Sequence, residues 1–221
     1  MPSTQAKQSS LLRGRFITVE GGEGAGKSSN LSYIRDILEK AGKSVLFTRE
    51  PGGTELGESI RELLLGHQHT GMSSDCELLL MFAARAEHLQ AKILPALGQG
   101  QWVLCDRFTD ASYAYQGSGR GLPRERIAAL ETFVQGTLRP DLTLLLDLPV
   151  EVGLERAGKR SAPDRFEREA KSFFEKVRQG YLEIAQRDPD RVRIIDASVP
   201  LVEVQRQIEG VLSRFLGDAD G

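Results

Sequence analysis

Gly21, Gly26, Lys27 and Ser28 stand at the fixed positions of a G-x-x-x-x-G-K-[ST] pattern. Glycines let the backbone wrap so that successive N–H groups point inward, and a helix starting there adds its partial positive charge. Lys27 can reach the outer phosphates of a nucleotide and the Ser28 hydroxyl can ligate magnesium. An apolar, β-branched run (Phe16, Ile17, Val19) precedes the glycines and a helical pattern follows, which is the context the pattern requires. This stretch therefore predicts binding of a nucleoside triphosphate. Arginines recur elsewhere, at Arg49, at Arg107 directly after Asp106, and in a basic run holding Arg156, Lys159, Arg160, Arg165 and Arg168. Such placement suits two phosphorylated substrates facing each other, with cations offsetting the charge that spreads over the transferred group.

The elements that must position these residues alternate strand and helix. Strands are expected at Phe16 to Glu20, Ser44 to Arg49, Gln101 to Asp106, Asp141 to Leu148 and Arg191 to Ile195. Helices are expected from about Lys27 to Ala41, Glu55 to Leu65, Ser74 to Gly98, Pro123 to Gln135, Val150 to Ala157, Glu167 to Arg187 and Leu201 to Phe215. Thr109 to Gly121, with two tyrosines, a glutamine and glycines, reads as a segment with polar handles and no core-like apolar face. The Arg49-Glu50 step reads as a turn holding a charge pair, and residues 156–168 as a basic, mobile lid. The alternation predicts an α/β fold, a five-stranded parallel sheet with helices on both faces. Ligands of such sheets bind beyond the carboxyl ends of the strands, which gathers Gly21 to Ser28, Arg49-Glu50, Asp106-Arg107 and the segment after it around one crevice.

Composition bounds the rest. The chain has 221 residues with a net charge of -2, so no global basic field recruits nucleic acid or a membrane, and phosphate binding must be local. The length suits a single domain, expected to span residues 15–221 behind a loose leader of residues 1–14. Cys76 and Cys105 both sit in apolar contexts and read as buried free thiols of a reducing compartment. No run is apolar enough to span a bilayer and no signal peptide is evident, so a cytoplasmic location is expected. His67 and His69 lack the further ligands of a closed zinc site and read as a solvated loop.

A phosphate loop alone does not separate a GTPase, a motor and a small-molecule kinase. No Asn-Lys-x-Asp guanine-reading sequence is present, and the chain ends soon after its fifth strand, which argues against the first two. The runs that begin at Phe16, Thr48, Phe82, Asp106, Ala114 and Asp141 (FITVEGGEGAGKS, TREPGGT, FAARAEH, DRF, AYQG and DLTLLLD) resemble bacterial thymidylate kinases in order and spacing, over roughly Gly14 to Phe215. The resemblance implies a P-loop NTPase fold and magnesium-dependent transfer of phosphate from ATP to dTMP, giving dTDP for dTTP synthesis. It also implies a homodimer built through helices. Gly21, Gly22, Glu23, Gly24, Ala25, Gly26, Lys27, Ser28 and Ser29 would hold the ATP phosphates, with Ser28 and Asp106 serving the metal. Glu23 would also accept from the sugar 3′-hydroxyl, or else be a solvated loop side chain. Arg49 and Arg61 match the grip on the acceptor phosphate, and Arg107 the arginine bridging donor and acceptor. Arg85 would hydrogen-bond thymine, and Ser112, Tyr115 and Gln116 would wall the base and sugar. Phe82 would stack on thymine or belong to the helix core. Gly24 and Ala25 bring no cation to the loop, and Arg160 falls where the bacterial type supplies one from the lid, unless that run is a solvated face. Ser118, where glycine is usual, and Ser28-Ser29 in place of threonines are small departures. The alternatives are another monophosphate kinase on the same scaffold, separated by acceptor preference, and a nucleotide sensor without turnover.

Overall fold

Short runs of branched apolar residues form strands β1 (Phe16–Glu20), β2 (Val45–Arg49), β3 (Trp102–Asp106), β4 (Leu142–Asp147) and β5 (Val192–Asp196) in the computed structural model. The structure describes residues 14–69, 71–158 and 164–220; the expected leader, apart from Gly14, and Lys159 to Pro163 lie outside them. All strand pairs are parallel, in the order β2-β3-β1-β4-β5, as the alternating elements predict. The helices are α1 (Lys27–Lys40), α2 (Glu55–Leu65), α3 (Ser74–His88), α4 (Leu94–Gly98), α5 (Thr109–Ser112), α6 (Arg124–Gln135), α7 (Val150–Gly158), α8 (Lys171–Arg187) and α9 (Leu201–Asp220).

The two-residue period of the strands sorts their side chains into separate cores. Ile17, Val19, Leu104, Leu144 and Leu146 meet Leu31, Ile34 and Leu38 of α1 and Val204, Ile208 and Leu212 of α9 on one face. Phe16, Val103 and Cys105 meet Leu89, Ile93 and Leu97 on the other. Both faces are thus covered, which explains why β4 is nearly continuous in apolar character. The buried Thr18 and Thr143 hydroxyls of neighbouring strands meet at 2.7 Å.

Several expectations are corrected. Cys105 is buried, but Cys76 is exposed in the first turn of α3. The helix expected from Ser74 to Gly98 is interrupted by a π-helical stretch, Leu89–Ile93. Pro95 has no N–H to donate and its ring crowds the carbonyl four residues back, which the wider turn relieves. Residues 109–119, read as having no core-like face, are helical and partly core: α5 continues into a π-helical stretch, Tyr113–Gly119, that buries Ala114, Tyr115 and Gln116. This segment lies hard against α8; a Cβ on Gly180 would stand 2.4 Å from the Ser118 hydroxyl. Pro123 precedes α6 rather than occupying its first turn, and α8 begins at Lys171, four residues later than expected.

Candidate active site

The phosphate loop leaves β1 at Glu20 and enters α1 at Lys27. Its turn needs left-handed backbone at Gly24 (φ 69°) and Gly26 (φ 81°), which glycine adopts without strain. Gly24 is also pressed on α7, where a Cβ would fall 1.9 Å from the Gly153 carbonyl oxygen. Lys27 Nζ donates to the carbonyls of Gly21 and Gly22, each at 3.1 Å, which leaves its third N–H for the cleft. Burial, followed by the nearby charge of Arg107, lowers the Lys27 pKa.

Across the loop stands the end of β3. Arg107 takes the left-handed conformation (φ 67°), which is strained for a side chain of its size. Its N–H bonds to the Val19 carbonyl, and the next N–H, of Phe108, bonds to Glu20 Oε1 at 2.7 Å. Tyr181 of α8 donates to the other Glu20 oxygen, also at 2.7 Å. Glu20 therefore ties the Arg107 turn to β1 and α8; burial, then Asp110, pushes its pKa up to about 8. The Arg107 guanidinium donates to Glu23 Oε1 (2.7 Å) and lies 4.6 Å from the Tyr115 ring centre, while Tyr115 donates to the same Glu23 oxygen (2.8 Å). Burial acts to raise the Glu23 pKa, but Arg107 and Lys27 outweigh it and hold the carboxyl at about 2. Glu23 is an ionised acceptor at any ordinary pH.

These residues line one cleft of about 470 Å³ with Glu23 to Ser28, Arg49, Arg61, Arg85, Asp106, Arg107, Ser112, Tyr115 and Gln116 on its walls. Arg61 donates to the Pro51 carbonyl at 2.8 Å, and Arg49 pairs with Glu58 at 2.8 Å. The expected Arg49–Glu50 pair does not form, because Glu50 turns inward to Arg85 at 2.7 Å. Arg85 also bonds to Ser112 (3.1 Å), and its Nη1 is buried with no hydrogen-bond partner among the described residues. Asp106 Oδ1 is likewise buried and unpartnered. An orphaned carboxylate oxygen in the same cleft as the Ser28 hydroxyl fits magnesium, which takes few protein ligands and fills its shell with phosphate oxygens and water. Among the described residues no three His, Cys, Asp or Glu converge as a closed metal site would require.

A family model for thymidylate kinase matches residues 19–208. The thymidylate kinase of Alkalilimnicola ehrlichii is 60% identical over 204 residues, covering 92% of this chain and 94% of that protein. That of Alcanivorax borkumensis is 58% identical, covering 92% and 98%. The crystal structure of thymidylate kinase from Ehrlichia chaffeensis superposes with a TM-score of 0.74 at 33% identity, covering 90% of this chain and 99% of that one. The chain belongs to the thymidylate kinase family. It is accordingly a phosphotransferase with a P-loop NTPase fold.

In this thymidylate kinase family member several expected site residues do not line the cleft. Phe82 does not line the cleft; it packs with Leu78 and Ile127, and Met81 takes the wall position instead. The Phe82 ring still supports the site from behind, 4.5 Å from the Arg85 guanidinium, with Phe108 5.0 Å away. Gly21, Gly22 and Ser29 belong to the loop without lining this cleft, and Arg160 lies outside the described residues. Two cations read as parts of a mobile lid are tied down. Arg156 donates to the carbonyls of Ala197 and Ser198, and buried Arg165 donates to the Leu64 carbonyl and to Glu77 at 2.7 Å. Arg165 is consumed because Glu77, itself 1% exposed, needs charged partners and also takes Arg120 and Gln116. Glu20, Glu77 and His88 were all missed as site supports, and Glu50 was gathered into the crevice but with Arg49 as its partner instead of Arg85. The one sequence signal was acidic residues ending apolar runs at Glu20 and preceding Pro51 at Glu50.

Proposed function

We propose that this protein transfers the γ-phosphoryl group of ATP to dTMP, giving dTDP. The observation that carries this is the cleft itself. A phosphate loop with a free lysine donor faces Arg49, Arg61 and Arg107, and an unpartnered Arg85 N–H group lies deeper in the same wall. The attacking group is an anionic phosphate oxygen, so no general base is needed, and positioning and charge carry the reaction. Lys27 and the loop N–H groups hold the donor, Arg49 and Arg61 hold the acceptor phosphate, and Arg107 spans both. Ionised Glu23 accepts from the sugar 3′-hydroxyl, and Tyr115, bonded to Glu23, closes the sugar side against a 2′-hydroxyl. Arg85, Ser112, Gln116 and Met81 wall the base. Ser28 and Asp106 would hold a magnesium ion, which when bound would neutralise charge on the phosphate oxygens. A coupled assay of ADP release across dTMP, dUMP, dCMP, AMP and thymidine tests the assignment. dTMP should be preferred, and equal or better turnover of another acceptor would overturn it.

Gly24 and Ala25 supply no cation, so we assign the remaining charge-stabilising group to Arg160. Arg160→Ala should lower turnover about a hundred-fold, the scale of a lost transition-state donor, with little change in dTMP affinity. Equal losses in Arg156→Ala and Lys159→Ala would replace this assignment with a diffuse field. Residues 15–221 would form one kinase domain with residues 1–14 as a leader outside it.

A homodimer completes the proposal. Leu56 and Leu63 on α2, Leu79 on α3 and Phe133 on α6 are exposed, and α3 packs against both other helices. Large apolar side chains on three adjacent helices fit a second copy of the chain. The protein should sediment as a dimer and Leu79→Glu as a monomer; a monomeric parent would sink the idea. No helix among the described residues is long and apolar enough to cross a membrane. The two free cysteines suit the reducing cytoplasm in which we place the enzyme.

A further inference from the structure

Behind the wall of the cleft runs a chain of buried polar groups that phosphate transfer does not use. Thr48, Glu50, Arg85 and His88 are each at least nine-tenths buried. Thr48 and Glu50 are two apart at the end of β2 and share a face; Arg85 and His88 are three apart on α3 and share another. The Glu50 carboxylate accepts on both oxygens, from Arg85 Nε at 2.7 Å and from His88 Nδ1 at 3.1 Å. That fixes the proton of His88 on Nδ1, so Nε2 accepts from the Thr48 hydroxyl at 2.6 Å. The Gly53 backbone (φ 83°) closes over this last contact, where a Cβ would stand 2.6 Å from His88 Nε2 and 2.8 Å from Thr48 Oγ1. Three elements thus converge on one histidine that touches no cleft surface.

The consequence falls on Arg85. A carboxylate beside a guanidinium ordinarily takes two of its N–H groups at once. Here His88 holds Oε1, so Glu50 grips Arg85 through Nε alone and leaves Nη2, the neighbouring nitrogen of that fork, to Ser112; the guanidinium plane so fixed keeps Nη1 on its far side without a partner among the described residues.

We propose that His88, with Glu50 and Thr48, is a positioning residue for acceptor choice: by holding the Glu50 carboxylate it fixes the Arg85 plane with Nη1 presented to a ring carbonyl of the acceptor base. A pyrimidine with a carbonyl at that edge is accepted, whereas one with an amino group there meets donor against donor. The inference rests on the reading that Arg85 faces the base of dTMP.

Two substitutions separate the bonds of the imidazole. Asparagine places its amide near Nδ1 and can still donate to Glu50; glutamine reaches the Nε2 position and can meet only Thr48. Steady-state constants for dTMP, dCMP and ATP should show His88→Gln raising the KM for dTMP about ten-fold, the scale of one charge-assisted hydrogen bond. Its preference for dTMP over dCMP should fall by a similar factor, with kcat and the KM for ATP little changed, and His88→Asn should recover most of the loss. If His88→Gln fails to fold, Glu50→Gln reads the same link, because its amide opposes a donor on one side. Arg85→Ala, made in parallel, should raise the dTMP KM at least as much. No rise in Arg85→Ala would overturn the base-site reading itself. A rise there, with His88→Gln and His88→Asn equally impaired or with losses spread over kcat and ATP, would overturn the positioning role alone.

Discussion

Arg107→Ala should lower turnover about a thousand-fold, the lower end for loss of an arginine acting on a transferred phosphoryl group, while the protein still folds. The backbone at this position is held from three sides, by Val19, by Glu20 and through Glu20 by Tyr181, so removing the side chain does not release the turn. What is lost is a planar cation placed between the phosphate loop and the acceptor wall. Arg107→Lys restores charge without the fork and should recover only part of the rate. Glycine relieves the left-handed strain that alanine keeps, so Arg107→Gly should be the more stable variant by up to about 1 kcal/mol. The same substitutions should reset Glu23. Its pKa of about 2 lies below the ordinary 4.5, so the stabilisation it supplies is complete above pH 4.5 and is lost as pH falls toward 2. Without Arg107 that acid tolerance should shrink, which denaturation at pH 3 to 5 would read. Unchanged turnover in all three variants would remove Arg107 from the reaction.

Lys27→Ala should cost a hundred-fold or more in turnover, because its cation meets charge that grows on the β- and γ-phosphates as the bond breaks. Two of its three donors are spent on the loop's own carbonyls, so the side chain also braces the loop. Lys27→Met keeps the apolar stem and removes the charge, and should be as inactive as alanine while melting closer to the parent. A lysine that served only to brace the loop would instead leave both variants near parental turnover.

The phosphate loop, the strand ends and the sheet were legible because each depends on residues close together in sequence. Gly21 to Ser28 is a single local segment, and β4 is buried on both faces, so its apolar run is nearly continuous. Met81 and Phe82 show where that legibility stops. They are neighbours on α3, about 100° apart around its axis, and only the packing of Leu78 and Ile127 decides which one faces the cleft. The π-helical stretch at Tyr113–Gly119 depends on α8, some sixty residues further on, presenting Gly180 to Ser118. Arg165 looked like a lid cation because Glu77, 88 positions away, is not its neighbour in any local pattern. Long-range charge pairing is the information that spacing alone does not contain.

The contact between Gly24 and Gly153 bears on the history open to this enzyme. Each glycine is required by the backbone facing it, since a Cβ on Gly24 would strike the Gly153 carbonyl and a Cβ on Gly153 would stand 2.4 Å from the carbonyl oxygen of Glu23. Moving a basic side chain into the loop at position 24 is therefore closed to any single substitution, because α7 would have to withdraw first. A descendant that relocated its cation would pass through intermediates lacking both a seated loop and a new charge. At position 24 the loop and α7 are bound to change together or not at all.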